Sequence, residues 1–363
     1  MIDAVPLRDL AEMHGPERAF LSIYLSGPDA ASGLEHRFKT IRALLVDEPD
    51  ELAHFEESLR LAEPLLADFP KDAEALAVFA CWANDFARAY PLPVAVEDRV
   101  WVGDAPYIRP IAELRDEYED FALALVDSTA ARLYVVSSAE AEEEGRVRGD
   151  VKNRVKVGGW SQKRYARRRD KQLEQYAEEV GEALAELDRE RPYARLVVLG
   201  ADESVRAVVE RLPPALADKL AGTRAVPTGG TEEETLEAAF AVYFEGERAA
   251  ERRLWDEIRE QLFHDGLAVS GATRVLEAVE QARVEAILLD REATFGGTKC
   301  RACAHVVHGT PRTCQRCGSA DVFEVDLVEA LVERAERTGA DVDFTDPFDA
   351  LTEVGHVAAL LRY

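Results

Sequence analysis

The chain has no run of ~18 uncharged apolar residues, which excludes a membrane-spanning helix. Its first residues, MIDAVPLRDLAEMHG, have no basic start followed by an apolar block, so a secretory signal is not expected and a cytoplasmic location is. There is no internal repeat and no low-complexity linker. Positive charge is scarce: 44 Lys and Arg stand against 70 Asp and Glu, a net charge of −26. Such an acidic body excludes unspecific nucleic-acid binding over the whole surface. Cysteine is scarce too. Of the five, Cys81 lies in the apolar run AVFACWA and reads as core, and the other four cluster near the C-terminus. In a reducing compartment those four are not expected to form disulfides.

What positive charge there is has been concentrated. Residues 151–171, VKNRVKVGGWSQKRYARRRDK, hold nine Lys and Arg with Asp170 as the only acid. Over 146–171 the count is eleven bases against Asp150 and Asp170, a net of +9, which leaves −35 for the remainder. One segment is therefore built to meet an anion while the bulk stays soluble and repels wrong partners.

The stretch leads into a helix expected from about Lys163 to Glu190, stopped by Pro192. Its apolar stripe is Leu173, Tyr176, Ala177, Val180, Leu184 and Leu187, and Ser161 is a candidate N-cap beside Gly159 or Trp160. The charge order on this helix is largely the reverse of what the helix dipole favours. Lys163, Arg164, Arg167, Arg168 and Arg169 crowd the N-terminal part, and Glu178, Glu179, Glu182, Glu186, Asp188 and Glu190 the second half. An external polyanion would turn that cost into binding, because N–H groups, dipole and arginines would all point at phosphate. Pairing with the acidic remainder of the chain is the competing explanation. Gly158 and Gly159 allow close backbone approach to a ligand. Gln162 carries a donor and an acceptor without charge, which suits it to position a water or steady an oxyanion. Trp160 offers a face on which a base can stack.

Cys300-x2-Cys303 and Cys314-x2-Cys317, ten residues apart, form two knuckles that together present four thiolates to one ion. A structural zinc is expected, with Gly318 easing the second knuckle and His305 and His308 as spectators. A redox dithiol is the alternative. A ribbon so short would draw much of its folding free energy from the metal.

The pattern of elements is mixed α/β in three sections. The first, 1–117, has FLSIYLS as strand, two amphipathic helices (LEHRFKTIRALLVD and PDELAHFEESLRLAEPLLADF), strands in ALAVFACWAN and VAVEDRVWVG, and a short helix in PYIRPIAELRDEYED. The second, 118–237, has a hairpin across DSTA, the basic stretch and its helix, and a strand–Gly–helix unit in RLVVLGADESVRAVVERL. Thr231 and Glu234 form a capping box, a simpler reading than phosphate binding by Gly229 and Gly230. The third, 238–363, opens on the helix ERAAERRLWDEIREQLF, alternates helix and strand, is interrupted by the cysteine ribbon at about 298–323, and closes on GHVAALLRY.

A hairpin, a basic loop with Gly158-Gly159 and a glutamine, an arginine-rich helix and a zinc ribbon inserted in the last section together resemble the archaeal and eukaryotic release-factor and Pelota superfamily. The branch most similar is the bacterial and archaeal release-factor-like one, of Vms or Balon type. The resemblance implies a three-domain architecture. It also implies a central loop that enters the ribosomal peptidyl-transferase centre, where Gly158, Gly159, Ser161 and Gln162 would promote hydrolysis of peptidyl-tRNA. Ribosomal and transfer RNA would then be met by Arg154, Lys156, Trp160, Lys163, Arg164, Arg167, Arg168 and Arg169. The C-terminal domain of such proteins contacts a translational GTPase. Here Trp160 and Ser161 separate the glycines from Gln162, whereas the superfamily's hallmark is Gly-Gly-Gln. Vms-type hydrolases likewise have a serine before the glutamine. No Asn-Ile-Lys-Ser loop is present, so stop-codon reading is not expected. The leading expectation is an A-site-binding rescue or quality-control hydrolase. The alternatives are a non-catalytic hibernation factor in the same site and an RNA-binding adaptor away from ribosomes.

Overall fold

A computed structural model describes residues 2–71, 73–128, 130–137, 140–148, 160–227 and 229–363; the side chains at 3, 29, 31, 32, 140–143, 148 and 160–166 fall outside that description. The protein divides into two compact units, one of Tyr118–Arg253, the other of Met1–Glu117 with Leu254–Tyr363.

The unit Tyr118–Arg253 is a five-stranded mixed sheet between helices. Its strand order is Glu140–Arg148, Ala130–Ser137, Phe121–Val126, Arg195–Gly200, Leu220–Ala225. The first two pairings are antiparallel and the last two parallel. The side-chain period of two explains why FALALV is apolar throughout. Ala122, Ala124 and Val126 face the helix Trp160–Glu190, whose whole expected stripe, Leu173 to Leu187, is buried there. Phe121, Leu123 and Leu125 face the opposite way, onto Ala239, Val242 and Tyr243. At ~25 cal/mol per Å² of apolar surface, burial on both faces is the main term holding this layer together.

The other unit holds three sheets. Strands Phe86–Leu92, Ala75–Cys81, Phe20–Leu25 and Arg99–Gly103 pair antiparallel. Helices Leu34–Leu44 and Pro49–Ala67 bury Phe38, Phe55 and Leu59 with Leu21, Ile23 and Val78. A second sheet runs Ala268–Ser270, Val357–Leu361, Val284–Asp290, Asp341–Thr345, its last pair parallel. The third is the ribbon, with Gly296–Cys300 between Val306–His308 and Val322–Asp326.

Among the strands that were not expected are Phe86–Leu92, Glu140–Arg148 and Leu220–Ala225. Each is the last strand at an edge of its sheet, where one neighbour is enough to hold a polar sequence in register. The strand expected in VAVEDRVWVG covers only Arg99–Gly103, because Asp98 is used to accept from the Ser26 backbone N–H at 2.7 Å. The units also differ from a three-part division. The expected border at 237/238 falls inside one helix, Glu232–Phe263, which no Pro interrupts. Its N-terminus does carry the capping box: the Glu234 N–H donates to Thr231 Oγ1 at 3.2 Å and the Thr231 N–H to Glu234 Oε2 at 2.9 Å. Among the described residues no helix is long and apolar enough to cross a membrane.

Candidate functional site

The basic helix runs Trp160–Glu190, 31 residues, roughly 46 Å at 1.5 Å per residue. It starts earlier than expected, so Ser161 is its second residue and not its N-cap, and Gln162 is its third. Of the residues assigned to chemistry or RNA contact, Arg154, Lys156, Gly158 and Gly159 lie outside the described residues. Trp160, Ser161, Gln162, Lys163 and Arg164 have a described helical backbone only. Arg167 and Arg168 are exposed.

Arg169 is different. Both its terminal nitrogens donate to the two carboxylate oxygens of Glu203, and its side chain is only 18% exposed. A fork-on-fork pair of this kind is geometrically specific and is not readily given up. Glu203 stands in the first turn of the helix Asp202–Glu210, where the dipole also favours an acid. Some of the basic helix's acids have partners as well. Arg211 reaches Glu174 at 3.1 Å and Glu178 at 3.0 Å, and Lys219 holds Asp188 at 2.7 Å. The reversed charge order is thus met in part from the body, at Arg169, Glu174, Glu178 and Asp188, while Arg167 and Arg168 are exposed.

This geometry separates a paired arginine, Arg169, from two exposed ones, Arg167 and Arg168. In a binding titration against RNA, Arg167→Gln and Arg168→Gln should each lower the slope of log K against log salt by about 0.9 if each neutralises one phosphate. Arg169→Gln should leave that slope unchanged. Equal slope changes for all three would show that Arg169 is free to leave Glu203.

The four cysteines of the ribbon converge as the spacing predicts. Their sulfurs all lie within 4.8 Å of one another. Cys300–Cys317 and Cys303–Cys314 are each 3.6 Å apart, too long for a ~2.05 Å disulfide. A tetrahedron with ~2.3 Å metal–sulfur arms has edges of about 3.8 Å, so the set fits a four-thiolate metal ion. The two knuckles share one backbone pattern. Ala304 N–H donates to Cys300 C=O at 2.8 Å, and Gly318 N–H to Cys314 C=O at 2.9 Å. Cys300 N–H donates to His305 C=O at 3.0 Å, and Cys314 N–H to Ser319 C=O at 2.7 Å. The Cys317 backbone N–H, joined by that of Arg316, holds the Cys314 thiol down at about 6, ready as a thiolate. His305 and His308 are not part of the sulfur cluster; they approach Glu280 at 3.9 Å and Thr273 at 3.3 Å.

Both knuckles need a left-handed residue after the second cysteine, φ +76° at Gly318 and +56° at Ala304. Only the first carries a Cβ there. Ala304→Gly should therefore raise the ribbon's stability by up to about 1 kcal/mol, read as slower metal loss to a chelator.

In sequence the chain is similar to release-factor-like proteins. Residues 106–242 match Bacterial archaeo-eukaryotic release factor family 10. Peptide chain release factor subunit 1 of Thermococcus kodakarensis is 24% identical over 302 residues, which cover 75% of this chain and 73% of that protein. Among solved structures, S. cerevisiae Dom34, described as a translation termination-like factor involved in RNA quality control pathways and interacting with Hbs1, aligns over 80% of each chain. That alignment has 11% identity and a TM-score of 0.44. An archaeal Pelota from a ribosome-bound assembly with ABCE1 aligns over 76% of this chain and 72% of its own, with 15% identity and a TM-score of 0.42.

The sequence reading missed Glu203 and Arg211. Their only local signals are an acid in a helix's first turn and a base after a helix's end, and neither says which charge across the unit they meet.

Proposed function

We propose that this chain binds the ribosomal A site in the cytoplasm and hydrolyses peptidyl-tRNA in ribosome rescue or quality control, without reading a stop codon. The observation that carries the reading is the exposed positive charge of Arg167 and Arg168 near the N-terminal end of a long helix on which Arg169, Glu174, Glu178 and Asp188 are paired within the chain. That end is continuous with Gly158, Gly159, Trp160, Ser161 and Gln162. On this reading Arg154, Lys156, Lys163, Arg164, Arg167 and Arg168 neutralise RNA phosphates, and Trp160 stacks on a base. Arg169 serves to hold the helix. Water adds to the ester carbonyl, and the amide of Gln162 with the glycine backbone orients it. The bond to the tRNA 3′ oxygen then breaks, and that oxygen takes a proton. The four cysteines hold a structural zinc, and a translational GTPase is the expected partner.

A second reading has its own support. The backbone of Gln162 is in helical register three residues beyond Gly159, and a catalytic amide displaced by ~1 Å can lose ~100-fold in rate. A non-catalytic hibernation factor in the same site would carry that arrangement at no cost.

Purified protein mixed with ribosome–nascent-chain complexes separates the two. Peptide release that drops at least ~100-fold in Gln162→Ala supports the hydrolase. Tight binding without release, indifferent to that substitution, supports the occupant. Failure to co-sediment with ribosomes at low salt rejects both.

A further inference from the structure

The first cysteine knuckle is bolted to the acidic face of the N-terminal section. Lys299 and Arg301 flank the ligand Cys300 on either side. Lys299, 12% exposed, pairs with Asp104. Arg301 approaches Glu17 at 3.7 Å and Glu51 at 3.8 Å, and it is held from its own side by Asp321 at 3.0 Å and by the Phe323 ring at 4.7 Å. Glu17 and Glu51 are 13% and 22% exposed and share Arg18 at 3.6 and 3.5 Å. One Glu17 oxygen is buried with no hydrogen-bond partner, and burial pushes its carboxyl up, so the site has little charge compensation to spare. The same face is knit internally by Gly15 N–H to Asp104 C=O at 2.8 Å and by Arg18 to Val102 C=O at 2.8 Å.

We propose that metal binding at Cys300, Cys303, Cys314 and Cys317 and the ordering of the Glu17–Glu51–Asp104 face are one linked equilibrium. The knuckle turn fixes the directions in which Lys299 and Arg301 point. Without an ion the ribbon is too small to hold that turn. Once the two cations wander, three largely buried carboxylates are left with one arginine between them, and removing one partner of a buried pair is strongly destabilising. Linkage runs both ways by necessity: whatever loosens the acidic face must weaken metal retention by the same factor.

Two measurements on the full chain test this, and neither depends on ribosomes or catalysis. Hydrogen exchange is followed with and without EDTA, and metal affinity is measured at equilibrium by competition with a colorimetric chelator. Chelation should speed exchange at least ~5-fold at residues 15–19 and 99–105 as well as across the ribbon, while the strands Val284–Asp290 and Asp341–Thr345 keep their protection. Glu17→Gln with Glu51→Gln should weaken metal affinity ~5–10-fold. Asp104→Asn, a single change at a residue 25% exposed, serves as an independent, milder variant with a smaller effect in the same direction. The proposal is overturned if either measurement stays at the wild-type value. It is also overturned if chelation strips protection from those two strands, since the metal would then hold the unit as a whole.

Discussion

Glu329→Ala should destabilise its unit by about 3 kcal/mol or more. Glu329 sits in the first turn of the helix Leu327–Thr338, yet it serves a different helix, Arg109–Glu117. Its two oxygens accept from the backbone N–H groups of Ile108 at 2.8 Å and Arg109 at 2.9 Å, which are orphan donors at that helix's start. A carboxylate from more than two hundred residues away thus caps the helix from outside. Ile108 is fully buried, so truncation strands its donor and leaves Arg109's without a protein partner, at roughly 1–3 kcal/mol each. Chemical denaturation of the single variant checks the figure.

The same residue makes a pH prediction. Burial pushes the Glu329 carboxyl from 4.5 to about 8, with the two N–H donors pulling the other way and losing. Because the folded value lies above the unfolded one, this group's contribution is fully present below about 4.5 and is lost as pH rises through about 8. Within that window its share of stability falls by up to about 1.4 kcal/mol per pH unit. Glu329→Gln cannot titrate and should remove that slope, at the cost of one unsatisfied N–H. Thermal melting of both proteins from pH 5 to 8.5 decides the matter: identical slopes would mean that Glu329 is not neutral in the folded protein. Nearby Tyr107, pushed up to about 12 by burial and then by Glu329, stays protonated throughout and adds nothing to the profile.

The second large effect is expected at Gly200. It ends the strand Arg195–Gly200 with φ +138°, and a Cβ there would lie 1.8 Å from the Val126 carbonyl oxygen. That oxygen cannot retreat, because it accepts the Ala201 N–H at 2.9 Å, while Gly200's own carbonyl accepts the Val226 N–H at 2.9 Å. The chain must pass this close to turn from strand into the helix Asp202–Glu210. Gly200→Ala therefore combines backbone strain with a backbone clash, and a loss of about 4 kcal/mol or more is expected. A urea midpoint equal to wild type would contradict this account of the strand end.

The cysteine knuckles, the buried stripe from Leu173 to Leu187 and the Thr231–Glu234 box were all legible, because each is a spacing of a few residues along the chain. Edge strands such as Glu140–Arg148 were not, because polar sequence becomes strand there only when a neighbour supplies the ladder. The extent of the helix Glu232–Phe263 was also misjudged, since a boundary was placed where nothing breaks the helix.

By itself, then, the sequence determined the local chemistry: where four thiolates gather, which helix carries the positive charge, and which side of it is apolar. Tertiary structure alone decided which charges remain available. With 70 acids in the chain, any arginine has many conceivable partners, and only the fold selects Glu203 for Arg169 while leaving Arg167 and Arg168 exposed. It likewise decided that residues 1–117 and 254–363 form one unit, through contacts such as Glu329 to Ile108 and Lys299 to Asp104. Coulomb attraction and hydrogen bonding act over a few ångströms whatever the separation along the chain, so pairings across some two hundred residues leave no periodic trace to read.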